Sequence, residues 1–187
     1  LKNSLLSIAI LAVGGAAFSA HAAQPCGADE AVSAFQRSAN SALRQLPALD
    51  SQVDKCFNAV EHPQYLQQTH QTLRTITSEY KAALQSLASA HNALKGGEDE
   101  EFSRTVTQMV ASLTKATKPL FDNAGNLKRH GFTVSDRKEN GRFRYPECNS
   151  TKNDQPERQW ASFYQHALGV QQAGKQLQTA VACLKRS

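Results

Sequence analysis

The sequence predicts an all-α fold: an up-down-up-down four-helix bundle, with a long loop or small β-hairpin between helices 3 and 4 and two disulfides. Three observations carry this expectation. Four apolar stripes of similar length recur at helical spacing, the first three are joined by very short connections, and four cysteines stand where such a bundle would bring them together in pairs.

The first stripe runs Ala28, Val32, Phe35, Ala39, Ala42, Leu46, Leu49, Val53, Cys56/Phe57 and Val60. Steps of three and four alternate, which places every member on one face of a helix. The second runs Leu66, Thr69, Leu73, Ile76, Tyr80, Ala83, Leu87, Ala90 and Leu94, and the third Phe102, Val106, Met109, Leu113, Ala116, Leu120, Ala124 and Leu127. The fourth runs Pro156, Trp160, Phe163, Ala167, Val170, Gly174, Leu177, Val181 and Leu184. A mean period near 3.5 suits helices packed at shallow angles.

The element ends are marked as well. Pro63 stands where a helix can begin without losing a hydrogen bond. Gly96-Gly97 stops the second helix, and Glu98, Asp99, Glu100 and Glu101 then meet the positive N-terminus of the third. Gly131 follows the third, and Pro156-Glu157 opens the fourth. The expected spans are 28–61, 64–95, 98–130 and 155–185. Pro47 and Pro119 fall inside helices, but both stripes continue through them without a change of phase, so kinks are expected rather than ends. The alternative at Pro47 splits the first helix into 28–46 and 48–61.

In this arrangement Cys26 and Cys183 lie at one end of the bundle and Cys56 and Cys148 at the other, so the expected bridges are Cys26–Cys183 and Cys56–Cys148. Pairing Cys26 with Cys56, or Cys148 with Cys183, would have to span most of a helix. An even cysteine count suits an exported protein. Residues 1–23 read as a secretory signal peptide, with Lys2, an apolar run from Leu5 to Val13, and Ala20-His21-Ala22 before the cleavage point. Residues 24–187 are then expected to form a single domain, periplasmic or secreted, with no stable membrane anchor. Without Lys2 the chain has 20 basic and 16 acidic residues. That mild excess favours an acidic protein partner over nucleic acid.

Known bundle chemistries find no residues here. A di-iron site wants Glu-x-x-His pairs and covalent haem wants Cys-x-x-Cys-His, and neither occurs. Met109 is the only methionine, and no Gly-x-Ser-x-Gly elbow is present. No enzyme activity and no cofactor are expected. His62 and His130, with Glu61 nearby, are the residues from which a weak surface metal site would be drawn.

The irregular segment Gly131–Asn153 is the informative one. From Lys128 to Lys152 it carries seven Lys/Arg and three acidic residues, with Arg142, Phe143, Arg144 and Tyr145 in a row and Arg137 just before. Asn140-Gly141 signals a hairpin turn. Arginine and aromatic residues together have the composition of a protein-binding hot spot. The expected function is an exported, non-enzymatic interaction protein that binds an acidic partner through loop 128–148, as an inhibitor, immunity-type protein or envelope adaptor would. A blander expectation has Phe132, Val134, Phe143 and Tyr145 cap the bundle core while the arginines stay solvated. A different class of function, a small-ligand carrier or sensor, would use an interhelical cavity lined by small residues such as Ala39, Ala42, Ala167 and Gly174.

Overall fold

In the computed structural model the described residues are 25–56, 63–121, 138–139, 142–143 and 155–186. They form four long helices: α1 (Ala28–Cys56), α2 (Pro63–Lys95), α3 (Asp99–Phe121) and α4 (Gln155–Leu184). A 3₁₀ turn, Pro25–Gly27, precedes α1. Two two-residue strands between α3 and α4, β1 (Lys138–Glu139) and β2 (Arg142–Phe143), pair antiparallel, with Lys138 opposite Phe143 and Glu139 opposite Arg142.

The helices pack in a ring. α1 packs most extensively on α4 and α2 on α3, and the α1–α2 and α3–α4 seams are slighter. Neighbours run antiparallel. Asp29 near the start of α1 meets His91 near the end of α2, and Asp50 near the end of α1 meets His70 near the start of α2. Across the α1–α4 seam, Gln45 Nε2 donates to Ser162 Oγ at 3.0 Å. A Cβ on Gly169 would stand 3.1 Å from Ser38 Oγ, so this glycine permits the close approach of α4 to α1.

Burial follows the stripes. In α1, Ala28, Val32, Phe35, Ala39, Ala42, Leu46, Leu49 and Val53 are all buried. So are Thr69, Leu73, Ile76, Tyr80, Ala83, Leu87, Ala90 and Leu94 in α2. Trp160 and Phe163 stack edge to face in α4, with ring centroids 6.1 Å apart. The third stripe departs by one position. Ala116 is only half-buried, and Thr117 is buried in its place. Thr117 Oγ1 donates to the Leu113 carbonyl at 2.7 Å, so the hydroxyl is satisfied inside its own helix and the methyl group can face the core.

α1 is continuous through Pro47, which is exposed, and α3 contains Pro119. An outward-facing proline leaves the carbonyl four residues back on the solvent side of the helix, where water can bind it. Residues 57–62 and 122–130, into which the expected first and third helices extend, lie outside the described residues, as does the expected leader.

The α2–α3 turn is a Schellman motif. Gly97 N–H donates to Leu94 O at 3.0 Å and Glu98 N–H to Ala93 O at 3.0 Å, with Gly97 at φ +86°. Glu98 O then accepts from Phe102 N–H, which starts α3. One pair of cysteines is joined: Cys26 and Cys183 form a disulfide with Cα atoms 5.6 Å apart. The side chain of Cys56 and all of Cys148 lie outside the described residues.

Trp160→Ala and Phe35→Ala are each expected to cost about 3–5 kcal/mol, because both side chains are fully buried. Gly97→Ala is expected to cost about 1–2 kcal/mol through its left-handed backbone alone. Urea unfolding of the three variants against wild type checks both numbers.

Candidate functional site

The long connection leaves the bundle at the end formed by the close of α1, the start of α2, the close of α3 and the start of α4. The described part of that end is strongly aromatic. Trp160 and Phe163 fill the core, and Phe121 packs against Tyr164 with ring centroids 5.6 Å apart. Asp50 Oδ1 lies 2.7 Å from His70 Nδ1 on the α1–α2 flank.

The α1 flank facing α4 is polar. Ser38, Gln45 and Gln52 follow one another at heptad steps, and Gln159 lies on the α4 side. The side-chain carbonyl oxygens of Gln45, Gln52 and Gln159 are buried and accept no hydrogen bond from the described residues.

The binding residues expected from the sequence, Arg137, Arg142, Phe143, Arg144 and Tyr145, are not placed as side chains. Arg142 and Phe143 belong to β2 as backbone, and the other three lie outside the described residues. His62 and His130 also lie outside them. Among the described residues, no three His, Cys, Asp or Glu side chains gather as metal ligands would. No described helix is long and apolar enough to cross a membrane.

At the opposite end, Glu98, Asp99, Glu101, Ser103, Leu184 and Lys185 line an open groove between the start of α3 and the end of α4. Arg104 pairs with Glu101 along its rim.

Two features escaped the stripe reading. The first is the pairing of Asp29 and Asp50 with His91 and His70. The signal was present: the aspartates are three heptads apart, and so are the histidines. The second is Tyr80. It belongs to the second stripe, but its hydroxyl is buried and makes no hydrogen bond among the described residues. Burial pushes the phenol pKa far above the usual tyrosine range.

Comparison with known proteins finds no family model, no curated protein and no solved structure that matches this chain.

Tyr80 generates a pH prediction. Its folded pKa is raised above the unfolded value, so its contribution to stability is complete below about pH 10 and is lost as the pH rises further, by about 1.4 kcal/mol per unit. Urea midpoints at pH 8 and pH 11 should therefore diverge less for Tyr80→Phe than for wild type. At pH 8 the variant should be as stable as wild type or about 1 kcal/mol more stable, because an unpaired hydroxyl has been removed.

Proposed function

We propose that this protein is an exported, non-enzymatic interaction protein. Its bundle supports the basic, aromatic loop 128–148, and that loop engages an acidic surface on a protein partner. The observation that carries this reading is the run Arg142-Phe143-Arg144-Tyr145, with Arg137 before it, in the longest stretch of the chain without a helical stripe. Arginine offers a planar donor fork to carboxylates, and tyrosine offers wide contact area with a polar tip. Export is supported by the leader-like residues 1–23 and by the Cys26–Cys183 bond, which suits an oxidising compartment. A second disulfide, Cys56–Cys148, would tether the loop to the end of α1. The strand pair around Asn140-Gly141 would present the cluster on a hairpin.

One observation favours a carrier or sensor as the second reading. The Tyr80 hydroxyl is buried with no hydrogen-bond partner among the described residues, and a hydrogen-bonding guest could be held there. Native mass spectrometry of the protein from its producing cells would detect such a guest, and the interaction reading expects none.

The deciding experiment replaces Arg142 and Arg144 by Ala together. Helical circular dichroism should be unchanged, while capture of the partner from envelope extract should weaken by about 30-fold or more, the scale of a two-residue hot spot. Full capture by the folded variant rejects this loop as the binding surface. Lost helicity shows instead that the segment is a structural lid. Non-reducing peptide mapping should return Cys56 linked to Cys148 beside Cys26 linked to Cys183, and a free Cys56 would remove the tether from the proposal.

A further inference from the structure

The middle of the α1–α2 face carries charge of one sign. Arg37 and Arg44 on α1, and Arg74 and Lys81 on α2, are all exposed. None of them forms an ion pair among the described residues. Arg44 Nη2 donates to Ser41 Oγ at 3.1 Å, which leaves its charge uncompensated. A carboxylate three or four residues away would stabilise a cation on a helix, and none of these residues has one. α1 holds no acidic residue from Ala31 to Leu49. Glu79, the acid of α2, lies on the α3 side with Thr105, Gln108 and Met109. On α3, by contrast, Arg104 pairs with Glu101.

The His–Asp pairs set the register of the two helices. Asp29 meets His91 and Asp50 meets His70, so Arg37 stands level with Ala83 and Arg44 with Ile76. Lys81 then falls between Arg37 and Arg44 along the bundle, and Arg74 just beyond Arg44. Arg74 and Lys81 follow His70 and Thr77 by four residues, which sets them about 40° outside the residues that face α1. On α1, Asn40 stands outside Gln36 in the same way, and Arg37 and Arg44 lie beyond it. Two rows of cations thus flank the seam, each with a step of seven residues, about 10.5 Å. Between the rows lie Ser33, Gln36 and Asn40, with Leu43 and Leu84 half-buried beneath them.

We propose that this face binds a linear anionic polysaccharide of the uronate type, whose carboxylates run between the two rows. Charge complementarity selects the sign of the ligand, and the guanidinium fork suits a carboxylate. The chemistry of the floor selects the rest. Hydroxyl and amide groups between the rows match sugar hydroxyls as donors and acceptors. Among the described residues the face presents no aromatic ring, so stacked bases have no platform. A partner helix or a membrane surface would want a wide apolar stripe, which two half-buried leucines do not supply. The surface is separate from loop 128–148 and does not depend on what that loop binds.

Titration of labelled polygalacturonate with the full chain tests it. Wild type should bind at low salt and lose affinity as added salt screens the exposed charges. Arg37→Gln, Arg44→Gln and Arg74→Gln together should weaken binding about tenfold or more, the scale of three exposed ion pairs. Helical circular dichroism should be unchanged, because glutamine is a good helix former and all three sites are exposed. Lys115→Gln, Lys175→Gln and Lys185→Gln together remove the same charge from exposed sites on the α3–α4 side, and should weaken binding less than about twofold. The Arg142→Ala, Arg144→Ala variant should bind as wild type does, which separates this face from the loop. The proposal is overturned if wild type does not bind, or if either control variant loses as much affinity as the triple arginine variant. It is also overturned if polyglutamate or phosphatidylglycerol vesicles bind through the same arginines at least as tightly.

Discussion

A ring of four helices has to bring its first and last members together, and here that meeting is covalent. Cys26 and Cys183 are separated by 157 residues, so their bond removes a very large loop from the freedom of the unfolded chain. In the chain-entropy picture that constraint is worth about 5 kcal/mol. It also determines which helices can pack closely. With α4 tied to α1 at one end, the two run side by side at close range, and Gly169 against Ser38 shows how little room is left. α2 and α3, joined by a three-residue turn, form the second close pair. Among the described residues the other two seams are slighter.

The core is apolar, and its few polar groups are handled in different ways. Thr117 returns its hydroxyl to its own helix, as Thr77, Thr107 and Thr114 do on less buried faces. The flank residues instead look across a seam, so Asp29 and Asp50 find histidines while Gln45 finds Ser162. The difference is angular. On α1 the flank facing α2 and the flank facing α4 each lie about 80° from the centre of the buried stripe, which is far enough out for a long side chain to reach both its partner and water. Tyr80 has neither option. It sits at the centre of its stripe, where its ring fills volume and its hydroxyl is left without a bond.

The sequence was most legible where a single periodicity governs. The four helices, the continuity of α1 through Pro47, the glycine stop at Gly96-Gly97 and the Cys26–Cys183 pairing were all readable, because each follows from stripe phase, chirality or the geometry of antiparallel neighbours. Thr117 was misjudged against Ala116 because the two lie on either side of the stripe, about 100° apart, and hydropathy alone prefers the alanine, whereas the buried face turns toward Ser103, Val110 and Thr117. The His–Asp rungs were not readable from either helix by itself. A charged residue at the edge of a stripe has the same periodicity whether it meets solvent or a partner, and only the register between helices separates the two. The loop cluster was legible as composition and no further. Arg137, Arg142, Phe143, Arg144 and Tyr145 carry no repeating pattern from which a side-chain arrangement could be derived.

Aromatic residues complete the division between the two ends. Each tight pair is tied at the disulfide end, and toward its opposite end Phe121, Trp160, Phe163 and Tyr164 add aromatic packing. Large rings suit that task because each buries much apolar area with few rotatable bonds. The same end carries the longest connection in the chain. A segment that emerges from a stiff aromatic platform has fewer conformations to lose when it engages a partner than one attached to a fraying helix end. On the proposed function, the concentration of rings at the loop-bearing end therefore contributes to binding as well as to stability, without any ring having to touch the partner.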